Sequence, residues 1–208
     1  RANEVRLCGV LRAAPSSAGQ STFATRPAVR RRVNGLQPVM VSVDNYFVDR
    51  EHTPKDAKGE NDYEHIEAIA LDLFNDHLRK LDQGDEVELP TFNFQIGRQE
   101  FKGHKLKLQP NQIVILEGIH CLTPRLTEVL PKERKFRIYI SALTQLNLDR
   151  NNRISTTDNR LVRRLVRDHQ FRGHSALVTM NMWPSVRRGE KNLIFPFQKE
   201  ADIAFNSA

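Results

Sequence analysis

The chain has 208 residues, 39% hydrophobic and 27% charged, with a formal charge of +7. That length is most economically one domain, 1–208, with a full core. It carries neither the roughly 18 apolar residues of a membrane helix nor a signal-peptide pattern. The basic balance suits a phosphate-bearing partner, whether nucleotide or nucleic acid, and does not choose between them.

The apolar stretch Val5–Leu11 predicts a first strand, and a helix is expected from Thr22 to Val33. Between them, Ala14, Pro15, Ser16, Ser17, Ala18, Gly19, Gln20, Ser21 and Thr22 come close to the phosphate-binding pattern G-x-x-x-x-G-K-[ST]. Gly19, Ser21 and Thr22 fit it, Ala14 replaces the first glycine and Gln20 replaces the lysine. Backbone N–H groups of 17–22 at a helix start can cradle an anion without the lysine. Ser21 has the hydroxyl that meets Mg²⁺ in such loops.

Val39–Val43 reads as a second strand ending at Asp44, followed by a polar loop over 45–62. Ile66, Ile69, Leu73, Leu78 and Leu81 recur at helical spacing, with Asp62 as N-cap and Gly84 closing the helix. Residues 86–108 break the strand–helix alternation. Short β-like pieces around Phe92–Phe94 and Phe101–Leu108 flank Gly97 and Gly103, so a hairpin excursion is expected there. Ile113–Leu116 is a continuous apolar run ending in Glu117, as a central buried strand does. Phe136–Ile140 is a further strand, and Leu143 to about Gln170 is expected to be helical, with a break near Ser155–Thr157. Gly173, Pro184, Gly189 and Pro196 mark 173–198 as a mobile segment and connector, with a lid at about 173–195. Ala201–Phe205 is the last strand. The fold class expected is α/β, a parallel sheet with flanking helices.

Ligands in such sheets bind beyond the carboxyl ends of the strands. Three ends here carry suitable groups: the 14–22 loop, Asp44 and Glu117. Phosphoryl transfer needs phosphates cradled, Mg²⁺ held and a hydroxyl oriented, and Asp44 and Glu117 can share metal binding and proton abstraction. Each alone has an ordinary reading as a turn or strand terminus; their co-occurrence at successive strand ends favours a site. Arg160, Arg163, Arg164 and Arg167 share one helical face, where like charges cost about 0.2–0.5 kcal/mol per pair. Asp158 and Asp168 offset part of that. The stripe reads either as a solvated face or as a lid clamping phosphates, continued by Arg172. Phe92 and Phe94 alternate in a strand and either fill the hairpin core or stack on a base. Trp183 reads as packing. Cys8 and Cys121 lie in apolar contexts, as buried structural thiols in a reducing, cytoplasmic setting. The histidines show no metal-ligand spacing. The chain opens on Arg1 and stops soon after a strand, as a piece of a longer protein would.

Taken together, Ser42–Phe47, Leu116–His120, Asp158–Arg164, Arg167-Asp168, Arg172-Gly173 and Ala201–Ile203 resemble the uridine kinase/phosphoribulokinase family of P-loop kinases over nearly the whole chain. The likeness looks closest to the bacterial uridine kinase-like branch that often follows a threonyl-tRNA-synthetase-like (TGS) region. The resemblance implies a P-loop NTPase-like fold, ATP and Mg²⁺ as cofactors, and transfer to a hydroxyl of a nucleoside-like substrate. It implies Asp44 as general base toward a 5′-hydroxyl and Glu117 near the metal. Arg164 would contact substrate, Arg167 and Arg172 the ATP phosphates, and Glu64 the ribose hydroxyls. Phe92-Asn93-Phe94 falls where the family has Tyr-Asp-Phe near the base, Gly97 where it has a base-reading histidine, and His174 where it has arginine. The second reading is the same fold with a degenerate loop, holding nucleotide without turnover. An RNA-interacting role is a third; it lacks an interleaved aromatic–basic platform. A homo-oligomer is compatible with all three.

Overall fold

The structure, a computed structural model, describes residues 7–18, 37–144, 147 and 149–207. Gly19–Thr22 and the expected helix to Val33 lie outside the described residues. Five described strands form one parallel sheet: β1 (Gly9–Ala13), β2 (Gln37–Ser42), β5 (Gln112–Glu117), β6 (Lys135–Ser141) and β7 (Ile203–Asn206), in the order β2-β5-β1-β6-β7. β1 and β5 are central, which is why their sequences are apolar runs rather than alternations.

Successive residues face opposite sides of the sheet. On one side Leu11, Val41, Val114, Leu116 and Tyr139 pack with Phe74, Leu78 and Leu81 of α1 (Leu71–Asp82). On the other, Val10, Ile115, Ile138 and Ile140 pack with Ala14 and Ala18. Burying an aliphatic side chain of this kind is worth about 1.5–3 kcal/mol, so these two layers position everything at the strand ends.

The hairpin is where it was expected, as β3 (Val87–Asn93) antiparallel to β4 (Arg98–Leu106). Helices α2 (Thr156–Arg172) and α3 (Ala176–Gly189) follow β6, each opened by a serine, Ser155 and Ser175, that accepts a backbone N–H of the first turn. Among the described residues no helix is long and apolar enough to cross a membrane.

Several boundaries differ from the sequence reading. The first strand runs to Ala13 rather than Leu11, because pairing with β5 and β6 continues through Arg12, whose charge faces Glu117 at 3.6 Å. The helix expected from Ile66 begins at Leu71. Ile66–Ala68 is a separate 3₁₀ turn, and Ile69 is extended because it bridges to Phe47. Asp62 caps nothing in α1; it accepts the Glu64 N–H. The described part of 143–155 is not helical. There the Asp149 carboxylate takes the N–H groups of Asn151 and Asn152, an alternative to helical bonding. The segment 173–198 is mostly helical, with Gly189 in helical backbone at φ −59° and a π-helical stretch, Glu190–Ile194, after it. Cys8 is exposed, whereas Cys121 is buried.

Candidate functional site at the strand ends

Strand register brings the chemistry together. Glu117 pairs with Arg12 on one side and Ser42 on the other, so the carboxyl ends of β1, β5 and β2 lie at one level. Asp44 follows two residues later, in a 3₁₀ turn over Val43–Tyr46. That turn lies directly on Gly118, where an added Cβ would stand 2.7 Å from the Val43 Cβ. Any side chain at 118 would push Asp44 off the strand ends. The loop leaving β1 carries Ser17 at φ 62°, a left-handed conformation rare for non-glycine residues, with its Oγ buried and unpartnered.

Three carboxylates here are perturbed in the same direction. Burial raises the Asp44 pKa, and Arg172 and Arg167 offset this only in part. Burial also raises Glu117, opposed by Arg12 and reinforced by Asp44. Glu64 is pushed up to about 7, mainly by burial, against Arg164 and with Glu190 and Asp44 adding to it. One Glu64 oxygen is buried without a hydrogen-bond partner. An added Cβ at Gly189 would stand 2.4 Å from the Glu64 Cβ, so glycine lets α3 close onto this residue.

The arginine stripe of α2 does not face solvent as a unit. Asp168 is fully buried and gathers Arg167 at 2.8 Å, Arg164 at 3.3 Å and Arg172 at 3.8 Å. Burial alone would raise its pKa; the arginines outweigh burial and hold it below the usual range. The Thr179 hydroxyl donates at 3.4 Å to the carboxylate oxygen that also faces Arg164, and the His174 N–H to the Asp168 carbonyl at 3.1 Å, tying α3 to α2. Arg160 and Arg164 turn inward onto Ser16.

On the hairpin side Phe47, Phe92 and Phe94 form a cluster with ring centroids 5.0–6.3 Å apart. Phe92 is buried and Phe94 half-exposed, with the Arg172 guanidinium 5.7 Å above the Phe94 ring. The two alternatives for these phenylalanines therefore divide: Phe92 fills the hairpin core and Phe94 offers a ring face. Arg50 donates to the Phe94 carbonyl at 3.1 Å and fills the space over Gly97, where a Cβ would meet its Nε at 2.6 Å.

The pattern that describes the Phosphoribulokinase / Uridine kinase family matches residues 9–208. The chain belongs to that family. It is 28% identical to the uridine kinase of Clostridium tetani over 189 residues, covering 90% of this chain and 81% of that one. It is likewise 28% identical over 189 residues to the uridine kinase of Staphylococcus aureus, covering 90% and 82%. Among solved structures, a possible uridine kinase from Bacillus stearothermophilus superposes with a TM-score of 0.59 at 14% identity, over 97% of this chain and 89% of that one. D-glycerate 3-kinase from Cryptococcus neoformans does so with 0.55 at 13%, over 95% and 81%. At such identities the structural likeness speaks for the fold alone, the mostly parallel P-loop NTPase-like sheet.

Within this kinase-family frame, Asp44, Glu117, Glu64, Arg167 and Arg172 converge electrostatically. Arg164 is buried and spent on Ser16 and Asp168. His174 is half-buried with Nδ1 lacking a partner. Gly19, Gln20, Ser21 and Thr22 lie outside the described residues. Among the described residues, Asp49, Glu51 and His52 bring ligand atoms within 4.8 Å of one another, but at the surface, and Asp49 accepts the Gln99 N–H. Sequence reasoning missed Arg12, Phe47 and Glu190. An arginine inside an apolar strand is a signal that could have found Arg12, since such a charge requires a partner.

Proposed function

We propose that the chain transfers the γ-phosphoryl group of ATP to a hydroxyl of a nucleoside-like acceptor, with Asp44 as general base. The observation that carries this is Asp44 itself. It is a carboxylate at a strand end whose basicity is raised by burial while two arginines stand close enough to oppose the shift. A raised pKa makes a better proton acceptor, and the arginines supply the positive field that a transferring phosphoryl group needs.

The available groups fit ATP and Mg²⁺. Ser17 in a left-handed conformation, with a buried unpartnered hydroxyl, is the backbone of an anion cradle. Asp44 and Glu117 form the hard-oxygen donor pair that Mg²⁺ takes, with Ser21 as the third candidate ligand. Bound Mg²⁺ neutralises charge developing on the phosphoryl oxygens. Arg167 and Arg172, gathered by Asp168, face those oxygens, and Arg172 also covers Phe94, so the cation side and the acceptor side share one residue. Glu64 is assigned to the acceptor's ribose hydroxyls and the exposed face of Phe94 to its base, with Phe92 behind it and His174 at the rim. Residues 173–195 act as the lid. The relatives named uridine kinase support a nucleoside acceptor.

ATP consumption measured against a panel of nucleosides and sugars, beside Gln20→Lys, tests the proposal. Acceptor-dependent ADP release that Gln20→Lys accelerates, by up to about 10²-fold for one charge-stabilising contact, supports it. Tight ATP binding with no turnover on any acceptor, even in Gln20→Lys, would overturn it in favour of a binding module.

A further inference from the structure

Within that kinase reading, we propose that Arg160, held in place by Glu190, is a positioning residue for the phosphate loop. Arg160 and Glu190 are almost completely buried, at 1% and 0% exposure, and form an ion pair. Buried charges of this kind persist only when every hydrogen-bonding group finds a partner. Here Arg160 Nε and Nη2 and both Glu190 oxygens find partners, and the partners are informative. Arg160 Nε donates to the Ser16 carbonyl at 2.9 Å, and its guanidinium lies 5.6 Å from the centre of the Trp183 ring. The second Glu190 oxygen accepts from Arg187 at 2.8 Å.

One turn further along α2, Arg164 donates to the Ser16 hydroxyl at 2.6 Å. Two guanidinium groups of one helix thus grip the carbonyl and the hydroxyl of a single loop residue. The next residue is Ser17, at φ 62°. A non-glycine residue stays in that region only where its surroundings over-determine it. Ala14 stands where the pattern has its first glycine, so this loop has fewer glycines of its own with which to turn. The clamp supplies from outside the curvature that the loop sequence does not. Glu190 opens the π-helical segment directly after Gly189, the residue packed on Glu64. The same segment therefore braces the phosphate loop on one side and touches the acceptor side on the other.

The rival explanation is that Arg160–Glu190 merely staples α2 to the segment after α3. Two variants separate the two. Arg160→Lys keeps the charge opposite Glu190 but loses the Nε donor to Ser16. Arg160→Met with Glu190→Met removes both charges and keeps apolar bulk, which restores a staple but not a clamp. ADP affinity by calorimetry, KM for ATP, thermal midpoint and amide exchange at Ala18, whose N–H bonds to the Pro15 carbonyl, are measured in each. We expect both variants to fold. ADP affinity should fall and KM for ATP rise about 10-fold or more, the scale of one hydrogen bond to a charged group. The acceptor KM should stay within about 2-fold, and Ala18 should exchange at least about 10-fold faster. Wild-type ADP affinity together with wild-type exchange at Ala18 in Arg160→Lys would overturn the clamp, whether or not the double variant folds. If the wild-type protein binds neither ADP nor ATP, the kinase reading fails instead, and exchange at Ala18 still decides the clamp.

Discussion

Two groups of buried acids in this molecule are treated in opposite ways. Asp44, Glu64 and Glu117, at the strand ends, are desolvated with too little positive charge beside them, and their pKa values rise. For Asp168, on α2, burial is likewise the largest single influence, but Arg164, Arg167 and Arg172 surround it and its pKa falls. The difference lies in compensation rather than in burial. An acid that is left short of partners keeps free energy available for a proton or a ligand. A fully compensated acid has spent its charge on organising its neighbours. The first group has the character of a reaction site, and the second that of a frame holding cations toward it.

The sharpest way to break this contrast is Asp44→Asn. Asparagine keeps the shape but cannot accept a proton, so kcat should fall about 10²–10⁴-fold while KM for ATP changes by no more than a few-fold. Steady-state kinetics read the split; a near-normal kcat would move the base role away from Asp44. Next in size is Asp168→Asn, which leaves three arginines facing one another with a neutral amide. Loss of a buried ionic partner should cost about 3 kcal/mol, read as a lower urea midpoint at unchanged slope.

Glu64 tests the other half of the contrast through pH. Its folded pKa of about 7 lies above the ordinary 4.5, so the native state binds this proton more tightly than the unfolded chain does. Glu64 therefore contributes stability that is fully present below pH 4.5 and is lost as pH rises through about 7. Glu64→Gln should remove that loss and be more stable than wild type at pH 8, by on the order of 1–3 kcal/mol. Urea titrations at pH 5 and pH 8 decide it. In activity, wild-type acceptor KM should fall from pH 6 to pH 8 as the carboxylate ionises, and Glu64→Gln should show no such trend.

The smallest expected effect concerns Ala14. The phosphate-loop pattern wants glycine there, but the methyl group is buried with Val10, Ile115 and Ile140. Ala14→Gly should cost about 1 kcal/mol, from one lost apolar group and added chain entropy, rather than simply repair the loop. A thermal midpoint unchanged or raised in Ala14→Gly would show that the loop, not the core, governs this position.

What the sequence determined by itself was the sheet, the hairpin and the strand-end acids. The Ile113–Leu116 run, the Phe92 and Phe94 alternation and the positions of Asp44 and Glu117 after apolar stretches are local signals, because strand periodicity and turn chemistry act over a few residues. The helix boundaries at 66 and 143 were not legible. At the first, an extended residue bridging to Phe47 outranked apolar spacing; at the second, an aspartate accepting the N–H groups two and three residues on displaced the helix. The arginine stripe was visible as a stripe, but nothing local tells which of its members face inward. Only tertiary packing pairs Arg160 with Glu190, thirty residues away, seats both Arg160 and Arg164 on Ser16, and sets Gly189 against Glu64. Desolvation is a property of the assembled surroundings, so whether an acid becomes a base or a brace is decided only when the chain closes around it.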